Sequence, residues 1–213
     1  MIRAVVSDFG GVLTTPITTP FAAVAARAGL AVDELRAALA VCFADEGAHP
    51  FFELECGRMT EAQFLASLEQ ALRRELGREI SCADFSEAMW AGLAPNERMI
   101  ELMAALRGEG YRMALVTNNV REWEPRWRAM APIDDIFELV IDSAYVGVRK
   151  PDPQIYELTV QRLGVPAPEC LFVDDLESNC AAARAAGMQA IVYRDAEQAE
   201  IDIRGALDGS GGA

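Results

Sequence analysis

The sequence predicts an α/β fold, a doubly wound and mainly parallel sheet with an all-helical segment inserted after its first strand. Three observations carry that expectation. Five short apolar runs, at residues 4–7, 113–116, 139–141, 171–173 and 190–193, have the near-continuous hydrophobic character of parallel strands buried on both faces. Helical periodicity separates the last four, as right-handed crossovers between parallel strands require. Between the first and second runs lie about a hundred residues with helical patterning and no convincing strand.

Taken in chain order, residues 4–7 read Ala-Val-Val-Ser and form the first strand. Helices are expected over 21–28, 33–43, 60–76 and 83–90. The third of these opens on Thr60-Glu61-Ala62-Gln63, a capping box ahead of Phe64, Leu65, Leu68 and Leu72. The apolar stripes of this segment are expected to form its own core, as buried helix faces usually do. Asn96 is a candidate cap for a helix carrying Met99, Met103 and Leu106. Asp152 and Pro153 are an N-cap and first-turn pair before Ile155, Leu158 and Leu163, with Gly164 closing that helix. The expected division is a core of residues 1–15 and 95–205, a helical domain of 16–94, and a disordered tail of 206–213, rich in glycine and poor in apolar side chains.

Composition limits the functions available. With 213 residues and 52% hydrophobic content the chain can bury a substantial core. A formal charge of −14 disfavours nucleic acid and anionic membrane surfaces as partners. Any anion must be captured locally, against the field. The five cysteines are odd in number and show no C-x-x-C spacing, which suggests neither a disulfide framework nor a zinc site and fits a reducing compartment. No span or leader pattern is visible, so a soluble, cytoplasmic protein is expected. His49 is the only histidine; this excludes histidine-cluster metal sites and leaves a Ser-His-Asp triad possible only through that residue.

In open α/β sheets, ligands bind beyond the carboxyl ends of the strands. The polar residues there are Asp8, followed by Phe9-Gly10-Gly11; Thr117-Asn118-Asn119; Lys150, in the loop after the third strand; and Asp174-Asp175, with Asn179 beyond them. Lys150 is the only lysine among 19 cationic side chains. A compact ammonium fits where a planar guanidinium fork does not. Three carboxylates on one edge repel, by about 4 kcal/mol per pair near 4 Å at an effective dielectric of 20. A dication relieves this, and an all-oxygen ligand set selects a hard ion such as Mg²⁺. With Mg²⁺ and Lys150 present, a phosphate fits the site and a remaining carboxylate can attack phosphorus.

This order of motifs resembles the haloacid dehalogenase superfamily over essentially the whole chain. The resemblance implies a Rossmann-like core and an aspartate nucleophile at Asp8, with the Gly10 carbonyl and Asp175 beside Asp8 as Mg²⁺ ligands. It implies that Thr117 and Asn118 hold the phosphoryl group, that Lys150 pairs with nucleophile and phosphate, and that Asp174 and Asn179 stand behind the metal ligands. The helical insertion is similar to the family's C1 cap. The nearest subfamily includes the phosphatase-like N-terminal domain of soluble epoxide hydrolases.

One position departs from the pattern: most phosphatases of the family carry a second aspartate two residues after the nucleophile, as general acid and base, where this chain has Gly10. His49, Glu53 and Glu55, around Phe51-Phe52, are the candidate replacements from the cap. The expected activity is a Mg²⁺-dependent phosphomonoesterase acting on a small phosphorylated metabolite. A non-catalytic or switch-like module binding Mg²⁺ and phosphate is the alternative. A metal-free 2-haloacid dehalogenase is disfavoured by the paired negative charge of Asp174-Asp175.

Overall fold

All five apolar runs become strands, and every neighbouring pair is parallel. The computed structural model describes residues 1–42 and 50–209. Strands β1 (Ala4–Ser7), β2 (Arg112–Thr117), β3 (Leu139–Asp142), β4 (Cys170–Asp174) and β5 (Gln189–Val192) lie in the order β3-β2-β1-β4-β5. Helices α1 (Phe21–Arg27), α2 (Val32–Cys42), α3 (Pro50–Glu55), α4 (Glu61–Leu76), α5 (Phe85–Ala91) and α6 (Glu97–Gly108) separate β1 from β2. Short helices α7 (Glu124–Arg128) and α8 (Ile133–Ile136) precede β3, and α9 (Ser143–Val146) and α10 (Pro153–Leu163) follow it. Helix α11 (Glu177–Ala185) follows β4, and α12 (Ala196–Leu207) follows β5.

Period-two alternation sends successive strand residues to opposite faces, and both faces are covered. Val5, Leu115 and Val173 pack with Met99, Met103 and Leu106 of α6 and Ile203 of α12. Val6, Val116 and Phe172 pack instead with Ile155 and Leu163 of α10 and Cys180 of α11. Full burial of each large aliphatic side chain contributes about 1.5–3 kcal/mol, and this double packing reinforces the strand preference of the β-branched residues in these runs.

The helical segment leaves and rejoins the sheet layer at adjacent points. Thr14 bridges Pro95, the Thr15 amide donates to the Ala94 carbonyl at 2.9 Å, and the Asn96 amide donates to the Leu13 carbonyl at 2.8 Å. Within the segment, Phe64, Leu68 and Leu72 are buried, and the Thr60–Gln63 capping box is present. Asp152 accepts from the Gln154 amide at the start of α10, and Gly164 ends that helix with φ +68°.

Three details differ from the sequence expectation. Asn96 does not cap α6; its amide donates to the Val12 carbonyl and the Tyr193 hydroxyl, both at 2.8 Å, tying the connection after β1 to the chain just beyond β5. Helix α3 was not expected, because six residues are too few for a periodic pattern. Helix α12 runs to Leu207, whose buried side chain anchors it, so order extends into the expected tail, and residues 210–213 lie outside the described residues. Among the described residues no helix is long and apolar enough to cross a membrane.

Candidate active site

The register of the sheet decides what meets at its carboxyl edge. Ser7 pairs with both Leu115 and Val173, so Asp8, one residue further on, emerges between the ends of β2 and β4 and level with Asp174. The Asp8 amide continues the ladder by donating to the Val173 carbonyl at 2.8 Å. Oxygen atoms of Asp8, Asp174 and Asp175 then fall within 4.8 Å of one another.

Lys150 lies between the carboxylates. Its Nζ is 2.6 Å from Asp8 Oδ1 and 2.7 Å from Asp174 Oδ2, and its side chain is 1% exposed. Burial opposes the ammonium charge, but Asp174 and Asp8 outweigh it and hold the Lys150 pKa above its ordinary value. The backbone at Lys150 is gripped as well: the Asn118 side chain donates to its carbonyl at 2.9 Å and accepts from its amide at 2.8 Å. The Asn118 amide group is therefore committed to the Lys150 loop.

Asp174 is fully buried, and both of its oxygens are engaged. Oδ1 accepts from the Leu176 amide and from Asn179 Nδ2, each at 2.9 Å, while Oδ2 takes the Lys150 ammonium. Asp175 is only half-buried and lies against the loop after β1. A side chain at Gly11, whose φ is +84°, would put its Cβ 2.3 Å from Asp175 Oδ2. Only glycine fits there, for conformation and for space. Gly10 is different, since a Cβ built on it meets nothing within 4 Å.

Burial raises the Asp8 pKa, Lys150 opposes that effect, and Asp174 and Asp175 reinforce it. Burial and Asp174 likewise raise Asp175. Three carboxylates thus face one ammonium, a deficit that a hard dication on oxygen ligands would balance. The donor set fits Mg²⁺, with Asp8 and Asp175 as the carboxylates whose oxygens are not both engaged by the protein.

Above these strand ends lies a cavity of about 360 Å³, bordered by Asp8, Gly10, Thr117, Lys150 and Asp175 on the sheet side and by α3, α5 and the start of α1 on the other. Thr117 is buried beside it, with Asn119 Nδ2 3.4 Å from its hydroxyl. From α3, Glu55 enters the wall. Its Oε2 accepts from Arg149 Nε at 2.6 Å, and the Arg149 guanidinium lies 3.8 Å from the centre of the Phe52 ring. Ser143 Oγ adds a 2.6 Å bond to the Glu55 carbonyl, so the end of α3 is stitched to the segment that carries Lys150. Burial pushes the Glu55 carboxyl up to about 7, against the opposing effects of Arg149 and Lys150.

The structure thus gathers Asp8, Gly10, Thr117, Asn118, Lys150, Asp174, Asp175, Asn179 and Glu55, and it does not gather Glu53. That residue pairs with Arg58, at 2.6 and 2.7 Å, outside the cavity lining, and the Arg58 hydrogen bond holds its pKa low. His49 lies outside the described residues. Sequence reasoning missed Arg149 and Ser143, whose partners lie 94 and 88 positions away. The adjacency of Arg149 to the lone lysine was the only hint.

The family model described as haloacid dehalogenase-like hydrolase matches residues 2–187. The chain is 31% identical over 162 residues to bifunctional epoxide hydrolase 2 of Rattus norvegicus, covering 70% of this chain and 29% of that protein. It is 32% identical over 119 residues to a sesquiterpene phosphatase of Aspergillus oryzae, covering 53% of this chain and 57% of the relative. The chain therefore spans well under two thirds of the curated relatives it matches. Among solved structures, a HAD family enzyme of Bacteroides thetaiotaomicron in complex with magnesium and inorganic phosphate superposes with a TM-score of 0.70 at 22% identity, covering 91% of this chain and 95% of that one.

Proposed function

The chain belongs to the haloacid dehalogenase-like hydrolases, and from that premise we propose that it is a Mg²⁺-dependent phosphatase of small phosphorylated molecules, with Asp8 as nucleophile and the helical segment of residues 16–94 as its cap. The observation that carries this reading is Lys150 Nζ bridging Asp8 and Asp174 at the floor of the cavity, with Asp175 alongside. Phosphatase relatives and a magnesium-bound structural neighbour support it.

Asp8, Asp175 and the Gly10 carbonyl would hold Mg²⁺, which would supply charge neutralisation for the bound phosphoryl oxygens. Asp8 attacks phosphorus, forming the aspartyl O–P bond as the bond to the leaving oxygen breaks. Lys150 and the Thr117 hydroxyl stabilise charge on the transferring group, and the main-chain N–H of Asn118 joins them, because its side chain is occupied at Lys150. Asp174 and Asn179 hold Lys150 in place. Glu55 takes the acid/base role that Gly10 leaves vacant: it gives its proton to the leaving oxygen, then accepts one from the water that hydrolyses the phosphoaspartate. It is the one carboxyl group bordering the cavity, among the described residues, besides Asp8 and Asp175.

Turnover of p-nitrophenyl phosphate in the presence of Mg²⁺ tests the proposal. Absence of turnover with intact Mg²⁺ binding would leave the non-catalytic binding module as the better reading. Metal binding has its own measurement: saturating Mg²⁺ at a hundredfold its Kd should add about 2.7 kcal/mol to unfolding free energy. The melting temperature should rise accordingly, and Asp175→Asn should greatly reduce the rise. An unchanged rise in that variant removes Asp175 from the ligand set.

The role of Glu55 sets the pH dependence. A group titrating near 7 donates below that pH, so turnover of alkyl phosphates should fall as pH rises through about 7. Glu55→Gln keeps an acceptor for Arg149 yet should slow alkyl phosphates by about 10²- to 10⁴-fold and remove that pH limb. p-Nitrophenyl phosphate, whose leaving group needs little protonation, should suffer far less. The open space at Gly10 admits a side chain, and Gly10→Asp in the Glu55→Gln background should recover part of the loss. Equal loss on both substrates would make Glu55 a purely structural tie.

A further inference from the structure

Resting on the phosphatase reading, with Glu55 as its acid and base, we infer that Ser143 is a positioning residue for the reaction. One buried hydroxyl fastens the end of α3, which carries Glu55, to the loop that would hold the phosphoryl group. Ser143 is fully buried and does not border the cavity, so it acts only through its neighbours. Asp142 Oδ1 accepts from the Ala144 amide at 2.9 Å and starts α9 at this residue.

The two hydrogen bonds of the hydroxyl have a fixed direction. The Asn119 amide can only donate, so the Ser143 oxygen accepts from it at 3.0 Å; the Glu55 carbonyl can only accept, so it takes the one hydroxyl proton at 2.6 Å. Rotating the hydroxyl away would leave a buried group unpaired at one end or both. Asn119 closes the turn beyond β2 in which Thr117 and the Asn118 main chain face the phosphate. At the cap end, the amides of Cys56, Gly57 and Arg58 return to the carbonyls of Phe52, Leu54 and Glu53. The Glu55 carbonyl finds its partner outside the cap, in Ser143.

The turn after α3 is seated on α9 by more than this bond. Gly57 has φ +66°, and a Cβ there would lie 2.1 Å from the Ala144 carbonyl oxygen, which also accepts from Arg121 Nη2 at 2.7 Å. Only glycine lets the two segments approach so closely. Arg58 Nη1 donates to the Gly147 carbonyl at 2.9 Å, and Arg149 holds the Glu55 carboxylate at 2.6 Å. The main chain and the side chain of Glu55 are thus held separately, both from the segment 143–149. A helix of six residues has little rigidity of its own, so the direction of the carboxyl depends on these ties. A reacting group displaced by about 1 Å loses up to about 10²-fold in rate.

The test reads Ser143→Ala on ethyl phosphate and p-nitrophenyl phosphate with the Mg²⁺-loaded protein. Loss common to both esters reports the phosphate loop, and loss confined to ethyl phosphate reports the acid. The ratio of kcat/KM for ethyl over p-nitrophenyl phosphate should fall by about 10- to 10²-fold. In the Glu55→Gln background the same substitution should leave that ratio unchanged, because no proton donor remains to be misplaced. Circular dichroism and thermal melts accompany the kinetics. If Ser143→Ala does not fold, Ser143→Cys, which fills the site with a weaker donor, takes its place. An unchanged ratio in the folded variant, or an equal fall with and without Glu55, makes Ser143 a purely structural tie; that result overturns the inference and leaves Glu55 its role. If Glu55→Gln alone does not change the ratio, the acid assignment fails, and if the wild-type protein turns over neither ester, the phosphatase reading fails; this inference falls with either.

Discussion

Replacing Lys150 by arginine should reduce kcat by about 10²- to 10³-fold, the usual consequence of displacing a single preorganised donor from a transferring group, while the fold persists. The ammonium occupies a space closed on two sides by carboxylates at 2.6 and 2.7 Å and is 1% exposed. A guanidinium preserves the charge but is wider and planar, so it must push Asp8 or Asp174 aside; overpacking of this kind costs about 1–3 kcal/mol. Lys150→Met, close to isosteric but neutral, separates charge from volume. It leaves buried carboxylates uncompensated and should cost about 3–5 kcal/mol without metal. Added Mg²⁺ should return part of that stability but none of the turnover. Circular dichroism and thermal melts on both variants, with kinetics on p-nitrophenyl phosphate, provide the check. Near-normal turnover by Lys150→Arg would make this lysine a chance survivor in an arginine-biased chain.

Asp8→Asn should lower kcat by about 10⁴-fold or more, as loss of a covalent nucleophile does, yet it should not destabilise the metal-free protein. The reason lies in the sign of the local charge. Burial and the neighbouring Asp174 and Asp175 all work against the Asp8 carboxylate, and Lys150 alone among its resolved influences favours it. An amide removes the repulsion and keeps a hydrogen-bond acceptor for the Phe9 amide, which donates to Asp8 Oδ1 at 2.6 Å. Acid quench of the wild-type protein during turnover should trap a mass increase of one phosphoryl group, absent in the variant. A variant that still accumulates the phosphorylated species would move the nucleophile to another residue.

How much of this was legible in the sequence depended on how local each cause is. The three central strands were readable because a strand buried on both faces must be apolar throughout, the two half-buried edge strands because they too are short aliphatic runs, and Asp8, Thr117 and Asp174 because each directly ends a buried run. The capping box at Thr60 and the Asp152–Pro153 helix start depend on contacts within four residues, and both are present. Asn96 had the right identity and place for a cap but bonds instead to Val12 and Tyr193, because its amide finds those partners 84 and 97 positions away. Glu53 and Glu55 could not be told apart from sequence. They stand two residues apart on a short helix, and its orientation turns one towards Arg149 and the cavity and the other towards Arg58.

The sequence alone therefore determined the fold class, the strand-end positions of the acidic residues, and the singularity of Lys150, since periodicity, strand ends and composition are properties of the chain itself. The tertiary structure decided which atoms meet. Sheet register brought Asp8 level with Asp174, the grip of Asn118 on its backbone and two carboxylates on its side chain fixed Lys150, and the packing of α3 and α5 over the sheet edge made an apolar cavity with Glu55 in its wall. These depend on contacts between residues tens of positions apart, whose free energy is gained only when separate elements pack together, and no local pattern in the sequence records them.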